Sequence, residues 1–513
     1  MINQHSLNPL FAYWGKDAWR RLGLFLAARV DWSGLVTFAL PLLLYTRTLA
    51  PTIYNLDSAE FTTAVATNGI VRATGYPLYL LLGKLWLGLP LGGDAGYRLN
   101  LFSAVCAAVT IFLAEHILRR LGVGVWARLS ALGLLTTAPY FWSLSLIAEV
   151  YTLHTALMAG VILALLHWAE KPTPWRFALP VLLVTLSLGN HAATVLLIPG
   201  CIWFVLTSHP RQLGRAQVWM AGITAVLLGS IVFLTLPWRY AQQPAFNYAG
   251  VYDASGSFVP VNLQTLDGLL WLLTGQSFSG QMFGYRLVEI GGQVADYGRQ
   301  LVTAFLFVGV GPGLAGLFIL LRRNWRLGGL LLLFFLTNSW FYINYRVIDK
   351  NTMYLPTYLI WAIWAGVGYQ ALLPRGLVGI NGRRAWRESL SVSTLLVAPV
   401  LLAILWNWSL VDLSDDWSTR TRSEAILQLV EPDALILGWW DTVPAVQYLQ
   451  LVEGQRPDVV VINRFLISGE DMNRLILQEI GRRPVYINNP SIELLNVTQA
   501  TAVGPLYRLE PRQ

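Results

Sequence analysis

The sequence predicts an α-helical polytopic membrane protein of about eleven spans, followed by a small C-terminal α/β domain outside the cytoplasm. Three observations carry that prediction. Of the 513 residues, 55% are hydrophobic and only 12% charged, against about a quarter charged in a soluble chain, and mean hydropathy is +0.51. The apolar residues gather into blocks near membrane-crossing length, separated by short basic runs. Beyond residue 410 the composition turns charged, with Pro and Asn turns between short apolar strands. The 22 Trp, 21 Tyr and 21 Phe suit aromatic belts at the two membrane interfaces. The net charge of +8 sits in the short connections, as orientation in a membrane requires, and nucleic acid is not implied as a partner. Cys106 and Cys201 both fall in apolar blocks, so neither a disulfide framework nor a metal site is supported.

Residues 1–32 carry Trp14, Lys16, Trp19, Arg20 and Arg21 without a cleavable signal pattern, and read as a cytoplasmic interfacial helix. The membrane part, 33–410, offers spans at 34–50, 99–118, 125–142, 150–168, 177–188, 192–206, 218–236, 301–321, 327–341, 355–373 and 391–410. Every second connection is basic. Arg20, Arg21 and Arg29 precede the first span, and Arg119, Arg120 and Arg128 follow the second. Lys171 with Arg176, Arg211 with Arg215, Arg322, Arg323 and Arg326, and Arg375, Arg383, Arg384 and Arg387 continue the alternation. Those connections mark the cytoplasm. The apolar piece 79–91 carries Lys84, ends in Gly88 and Pro90, and reads as an interfacial helix too short to cross. The outward connections are then 51–98, 143–149, 189–191, 237–300 and 342–354, together with the C-terminal domain 411–513. In that domain a helical run at 423–430 precedes a strand from Ala434. A helix around 443–452 precedes the strand from Val459, and PVYIN from Pro484 reads as a third strand. No Gly-rich phosphate loop opens any of these helices.

The polar residues that bear chemistry collect on the outward connections. Asp57 and Glu60 stand three apart just after the first span, and acidic groups so close to hydrocarbon are costly unless solvated or used. Their spacing fits a capping box, with Asp57 at the N-cap of an interfacial helix. It equally fits a general base that takes a proton from an acceptor hydroxyl, and the two readings are compatible. Glu149 and Tyr151 sit at the outer end of the fourth span, with His154 about one turn deeper. Asn190 and His191 interrupt two spans on the same side, where a membrane cavity would open. Asp349 and Lys350 are adjacent, as in a mutual ion pair. Arg239 ends the seventh span, fit either to anchor at the interface or to contact a lipid phosphate. No HExxH, CxxC, Walker loop or catalytic-serine motif occurs, which removes support for metallohydrolase and ATPase chemistry.

The segments LDSAEFTTAVATNGIVRATGYPLYLLLGKLW, YRLNLFSAV, AEVYTLH, SLGNHAATVLLIP, LPWRYAQQPAFNY, WLLTGQSF and IDKNTMYLPTYL occur in this order. The succession resembles bacterial proteins similar to the transmembrane protein O-mannosyltransferase that modifies plexin-type receptors in animals, within the GT-C superfamily. ILGWWDTVPAVQYLQLVEGQRPDVVVIN extends the resemblance into the C-terminal domain. It implies a GT-C-like transmembrane domain with its active site at the first outward loop, the essential acidic residue at Asp57, and Glu60 second. It also implies a polyprenyl-phosphate sugar as donor, inversion at the anomeric carbon, and Arg239, Lys350 or Arg98 at the departing phosphate. Relatives often read HPPGYPLY where this chain has RATGYPLY, so Arg72 stands in place of a histidine, as an extra phosphate contact or the mark of a different substrate. No metal requirement carries over.

The leading expectation is a membrane glycosyltransferase in the plasma membrane, N-terminus inside. It moves a sugar such as mannose from a lipid-linked donor to an extracytoplasmic protein, glycan or lipid. A lipid or solute transporter is the alternative from another class, but no internal repeat is visible and the polar residues cluster at outer ends. A non-catalytic assembly factor is the third.

Overall fold

The computed structural model describes residues 31–373 and 383–512, with the side chains of 383–395 excepted. All but the last two residues of the expected N-terminal helix, with Arg20, Arg21 and Arg29, and also Arg375, lie outside the described residues. The chain is predominantly helical. Helix α1 (Trp32–Arg47) starts where Asp31 accepts from the Gly34 N–H. Helix α2 (Asp57–Thr67) ends on Asn68 in the left-handed region at φ 57°, and α3 (Pro77–Leu87) opens with Pro77, whose fixed φ suits a first helical position. Helix α4 (Ala95–Arg120) is capped by Asp94, which accepts from the Tyr97 N–H. Then follow α5 (Val125–Thr137), α6 (Pro139–Ser143), α7 (Tyr151–Glu170) and α8 (Pro174–Asn190).

At His191 the backbone turns extended, and a 3₁₀ turn over Ala192–Leu197 leads into α9 (Ile198–Ser208). The break therefore brings Asn190 and His191 to the end of α8 beside the start of α7, where Asn190 donates to the Val150 carbonyl at 3.1 Å. Helix α10 (Ala216–Ser230) continues through a 3₁₀ turn into α11 (Thr235–Ala241). Among the described residues, four helices are long and apolar enough to cross a membrane by length and composition: Ala95–Arg120, Tyr151–Glu170, Ala216–Ala241 and Trp325–Ile343. The third leaves Ile223, Leu227, Ile231 and Leu234 exposed in a row that suits lipid.

Between residues 237 and 300 the short hairpin β1 (Gly250–Tyr252) and β2 (Phe258–Pro260) precedes α12 (Leu266–Leu273) and α13 (Leu287–Ala304). Helices α14 (Val310–Arg323), α15 (Trp325–Ile343), α16 (Leu355–Leu372) and α17 (Arg383–Val411) complete the helical body. Helix α18 (Ser418–Leu429) leads into five strands: β3 (Leu435–Gly438), β4 (Val460–Asn463), β5 (Val485–Ile487), β6 (Thr498–Val503) and β7 (Leu506–Pro511). They form one sheet in the order β4-β3-β5-β7-β6. The first three are parallel, with Leu435 paired to Val460 on one side and Val485 on the other, and β7 runs antiparallel to β5 and β6. Helices α19 (Val443–Leu451) and α20 (Gly469–Glu479) supply the two crossovers a parallel pair needs.

One contact matters most for function. Ile53 and Ala59, from the stretch around α2, share an apolar cluster with Val443, Val446 and Leu449 of α19 and with Ile426 of α18. That packing buries Ser58 through Val65 of α2 and sets the loop after β3 beside its first turn. Arg420 adds ion pairs to Glu453 at 2.7 Å and to Asp94 at 3.4 Å, joining α18 to the cap of α4.

Candidate active site

The expected capping box is not formed. Leu56, at φ 56°, precedes the helix and makes no side-chain cap, and Asp57 is already the first helical residue. Both carboxylates turn instead to Arg72. Its guanidinium donates to Asp57 Oδ2 at 2.6 Å and to Glu60 Oε2 at 2.5 Å, while its own backbone N–H donates to Glu60 Oε1 at 2.9 Å. Charge-assisted bonds of this kind are about twice as strong as neutral ones, so they outweigh a cap. Arg72 can reach because residues 69–72 are fixed from outside. Ile70 donates to the Phe246 carbonyl at 2.9 Å and accepts from Tyr248 at 2.9 Å, a short parallel bridge to the 237–300 connection.

Trp440, from the loop after β3, completes the constellation. Its indole N–H donates to Asp57 Oδ1 at 3.1 Å, and the Arg72 guanidinium lies 4.3 Å from its ring centroid. The three-residue spacing of Asp57 and Glu60 was visible in the sequence; Trp440 was not. Its one signal was a Trp pair directly after an apolar strand.

Around this pair lies a ring of further polar groups. Burial, with Asp57 and Asp349 nearby, pushes the Glu149 carboxyl well above the usual carboxylate range. Asp349 is raised for the same reason, burial first and Asp57 second. Burial pushes Glu60 up to about 7, against the attraction of Arg72. One expected pairing is corrected. Asp349 and Lys350 form no mutual ion pair; the Lys350 ammonium donates to Tyr285 Oη at 3.2 Å and to Gln293 Oε1, and lies 4.4 Å from the Tyr285 ring centroid. Lys350 opens a 3₁₀ turn, and Asp349 before it faces the Asp57–Arg72 pair. Arg98 and Arg239 are committed elsewhere. Arg98 donates to the Leu87 and Leu89 carbonyls at the end of α3, and buried Arg239 to Gly69 at 3.0 Å and Leu80 at 3.4 Å.

Glu149, Tyr151, His154, Asn190 and His191 are brought together. The His191 ring lies 5.4 Å from His154, 5.6 Å from Tyr151 and 5.9 Å from Tyr76, centroid to centroid. A separate cavity of about 470 Å³ opens among Tyr240, Gln243, Asn247, Tyr252, Phe258 and Gln264. None of its lining residues is acidic. Among the described residues, Asp31, Glu115 and His116 bring ligand atoms within 4.8 Å of one another. Arg119 and Arg128 already hold those carboxylates, supplying the positive charge a cation would bring.

Comparison with known proteins follows the same outline. The crystal structure of ArnT from Cupriavidus metallidurans bound to undecaprenyl phosphate superposes with a TM-score of 0.58 at 13% identity, covering 97% of this chain and 100% of that one. The apo form gives 0.58 at 14%, covering 93% and 99%. The fold is therefore of the GT-C class of membrane proteins. Residues 57–214, which begin at the candidate carboxylate, match the family model described as the protein O-mannosyl-transferase TMEM260 N-terminal domain. The mouse protein O-mannosyl-transferase TMEM260 is 24% identical over 467 residues, covering 85% of this chain, and the chain spans 63% of the length of that relative. The chain is similar to the TMEM260 protein O-mannosyl-transferases over those residues.

Proposed function

We propose that this chain is an integral-membrane glycosyltransferase that moves a sugar, such as mannose, from a polyprenyl-phosphate donor to an extracytoplasmic acceptor hydroxyl. The observation that carries the reading is Asp57, held rigid by Arg72 and Trp440 at the opening of α2, on the loop where the family match begins. The ArnT structure bound to undecaprenyl phosphate supports a polyprenyl-phosphate carrier in a chain of this fold.

Asp57 takes the proton of the acceptor hydroxyl as its oxygen attacks the anomeric carbon. The bond from that carbon to the phosphate oxygen breaks, its electron pair leaves on the polyprenyl phosphate, and the anomeric centre inverts. Lys350 suits the departing phosphate, because among the described residues it pairs with no carboxylate. Arg346 lies 5.6 Å from the same Tyr285 ring and reinforces the positive charge there. Arg72 bridges Asp57 and Glu60 and sets the direction of the base, with Glu60 as support. Glu149, Tyr151, His154, Asn190 and His191 form the substrate-binding wall. The same reading places about eleven spans in the plasma membrane, the first outward loop and the 411–513 domain outside, and the N-terminus in the cytoplasm. A protein acceptor fits the family relationship.

The test is transfer of radiolabel from undecaprenyl-phosphate mannose to the proteins of membranes that contain the chain. Asp57→Asn at wild-type expression abolishes transfer; full transfer by that variant overturns the assignment.

A further inference from the structure

Four side-chain atoms in the wall beside Asp57 are buried without a hydrogen-bond partner: Glu149 Oε2, both ring nitrogens of His154, and Asn190 Oδ1. Their residues are 7%, 1% and 0% exposed, respectively. A buried polar atom left unpaired is destabilising, and several together in one place call for an occupant that satisfies them. The groups are contiguous. Asn190 is tied to the first turn of α7 through Val150, one residue from Glu149, and His154 faces the His191 ring from the next turn. Tyr151 and Tyr76 close the ring around His191.

The chemistry of the wall is selective. None of Glu149, Tyr151, His154, Asn190 and His191 is a Lys or Arg, and Arg72, the cation felt at Glu149, already pairs with Asp57 and Glu60. Desolvation pushes His191 down to about 4, so its imidazole is neutral. Burial, with Asp57 and Asp349 nearby, pushes the Glu149 carboxyl well above the usual carboxylate range. Carboxamide, neutral imidazole, phenol and carboxyl are groups that pair with hydroxyls in either direction.

Resting on the lipid-linked donor reading above, we infer that Glu149, His154, Asn190 and His191 form a subsite for the hydroxyls of the donor sugar, distinct from the cationic Lys350 region that takes its phosphate. The pyranose then satisfies the orphaned atoms, and its anomeric carbon points from the neutral wall toward Asp57.

The test uses the purified full chain in nanodiscs and compares affinities for undecaprenyl phosphate alone and for its mannose, glucose and 4-amino-arabinose conjugates. Wild type binds at least one conjugate about tenfold more tightly than the bare lipid. His154→Phe removes two unpartnered nitrogens and no protein hydrogen bond, so it folds; it raises the ligand-free Tm and cuts that preference at least fivefold, leaving bare-lipid affinity within twofold. Glu149→Leu does the same. An unchanged preference in both variants means that the wall holds only water and overturns the subsite, as does a wild type that binds bare lipid but prefers no conjugate. A wild type that binds neither lipid nor conjugate overturns the donor reading itself, and the subsite with it.

Discussion

Glu60 shows how far a residue's neighbours decide its chemistry. In the sequence it and Asp57 were a pair at capping distance; in the structure one guanidinium holds both. The spacing was legible because it is local, but their common partner lies 12 and 15 positions away across a turn that no helical or strand period announces. Arg98 and Arg239, read in the sequence as contacts for the departing phosphate, donate in the structure to backbone carbonyls, Arg98 to Leu87 and Leu89 and Arg239 to Gly69 and Leu80. Glu60 makes a prediction at this scale. Burial raises its carboxyl from 4.5 to about 7 in the folded protein. The folded state therefore holds a proton that the unfolded state has released across that window. The associated stability, on the order of 3 kcal/mol, is present below pH 4.5 and lost as pH rises through about 7. Glu60→Gln has no such proton. The fall in Tm between pH 4.5 and pH 8, followed in detergent by nanoscale fluorimetry, is smaller in the variant than in wild type. Equal slopes in the two proteins remove Glu60 as the source.

At the scale of elements, the loop after β3 belongs to the candidate site as much as α2 does. Apolar packing of α19 on α2 brings the loop there, through Val443, Val446 and Leu449 against Ala59. Hydropathy located the strand from Ala434 and the helix after it, because their periodicities are local. It gave no sign that Trp440 touches a residue 383 positions earlier. Two terms act through Trp440: an N–H donated to Asp57 and a ring face on Arg72, the latter worth about 1–2 kcal/mol when desolvated. Trp440→Phe retains the ring face and loses the donor, so kcat falls about tenfold at unchanged KM for the lipid donor. Trp440→Ala loses both and falls about a hundredfold. Steady-state transfer from undecaprenyl-phosphate mannose reads the split. A wild-type kcat in Trp440→Ala shows that the loop only covers the site.

At the scale of the molecule, the predominantly helical body and its GT-C likeness were legible from hydropathy and the order of motifs. The count of crossings was not. Among the described residues four helices pass on length and composition, and proline, 3₁₀ turns and the His191 break divide other apolar stretches into shorter pieces. Length alone therefore cannot set the topology, and charge must. The α4–α5 connection places Arg119, Arg120 and Arg128 at the end of the bundle where Lys171 and Arg176 also lie, since Arg120 pairs with Glu170 across α4 and α7. The candidate-site loop and the sheet of β3–β7 sit where α2 meets α19, beyond the opposite end of α4. If the positive-inside bias acts on these arginines, the two ends face different compartments. In a Cys106→Ala, Cys201→Ala background, Glu493→Cys and Lys171→Cys place one thiol at each end, both at exposed positions. In right-side-out vesicles an impermeant maleimide labels Glu493→Cys at once and Lys171→Cys only after permeabilisation. The reverse order inverts the topology and moves the Asp57 chemistry to the cytoplasm; labelling of both thiols in sealed vesicles puts the two ends on one side and breaks the eleven-span reading.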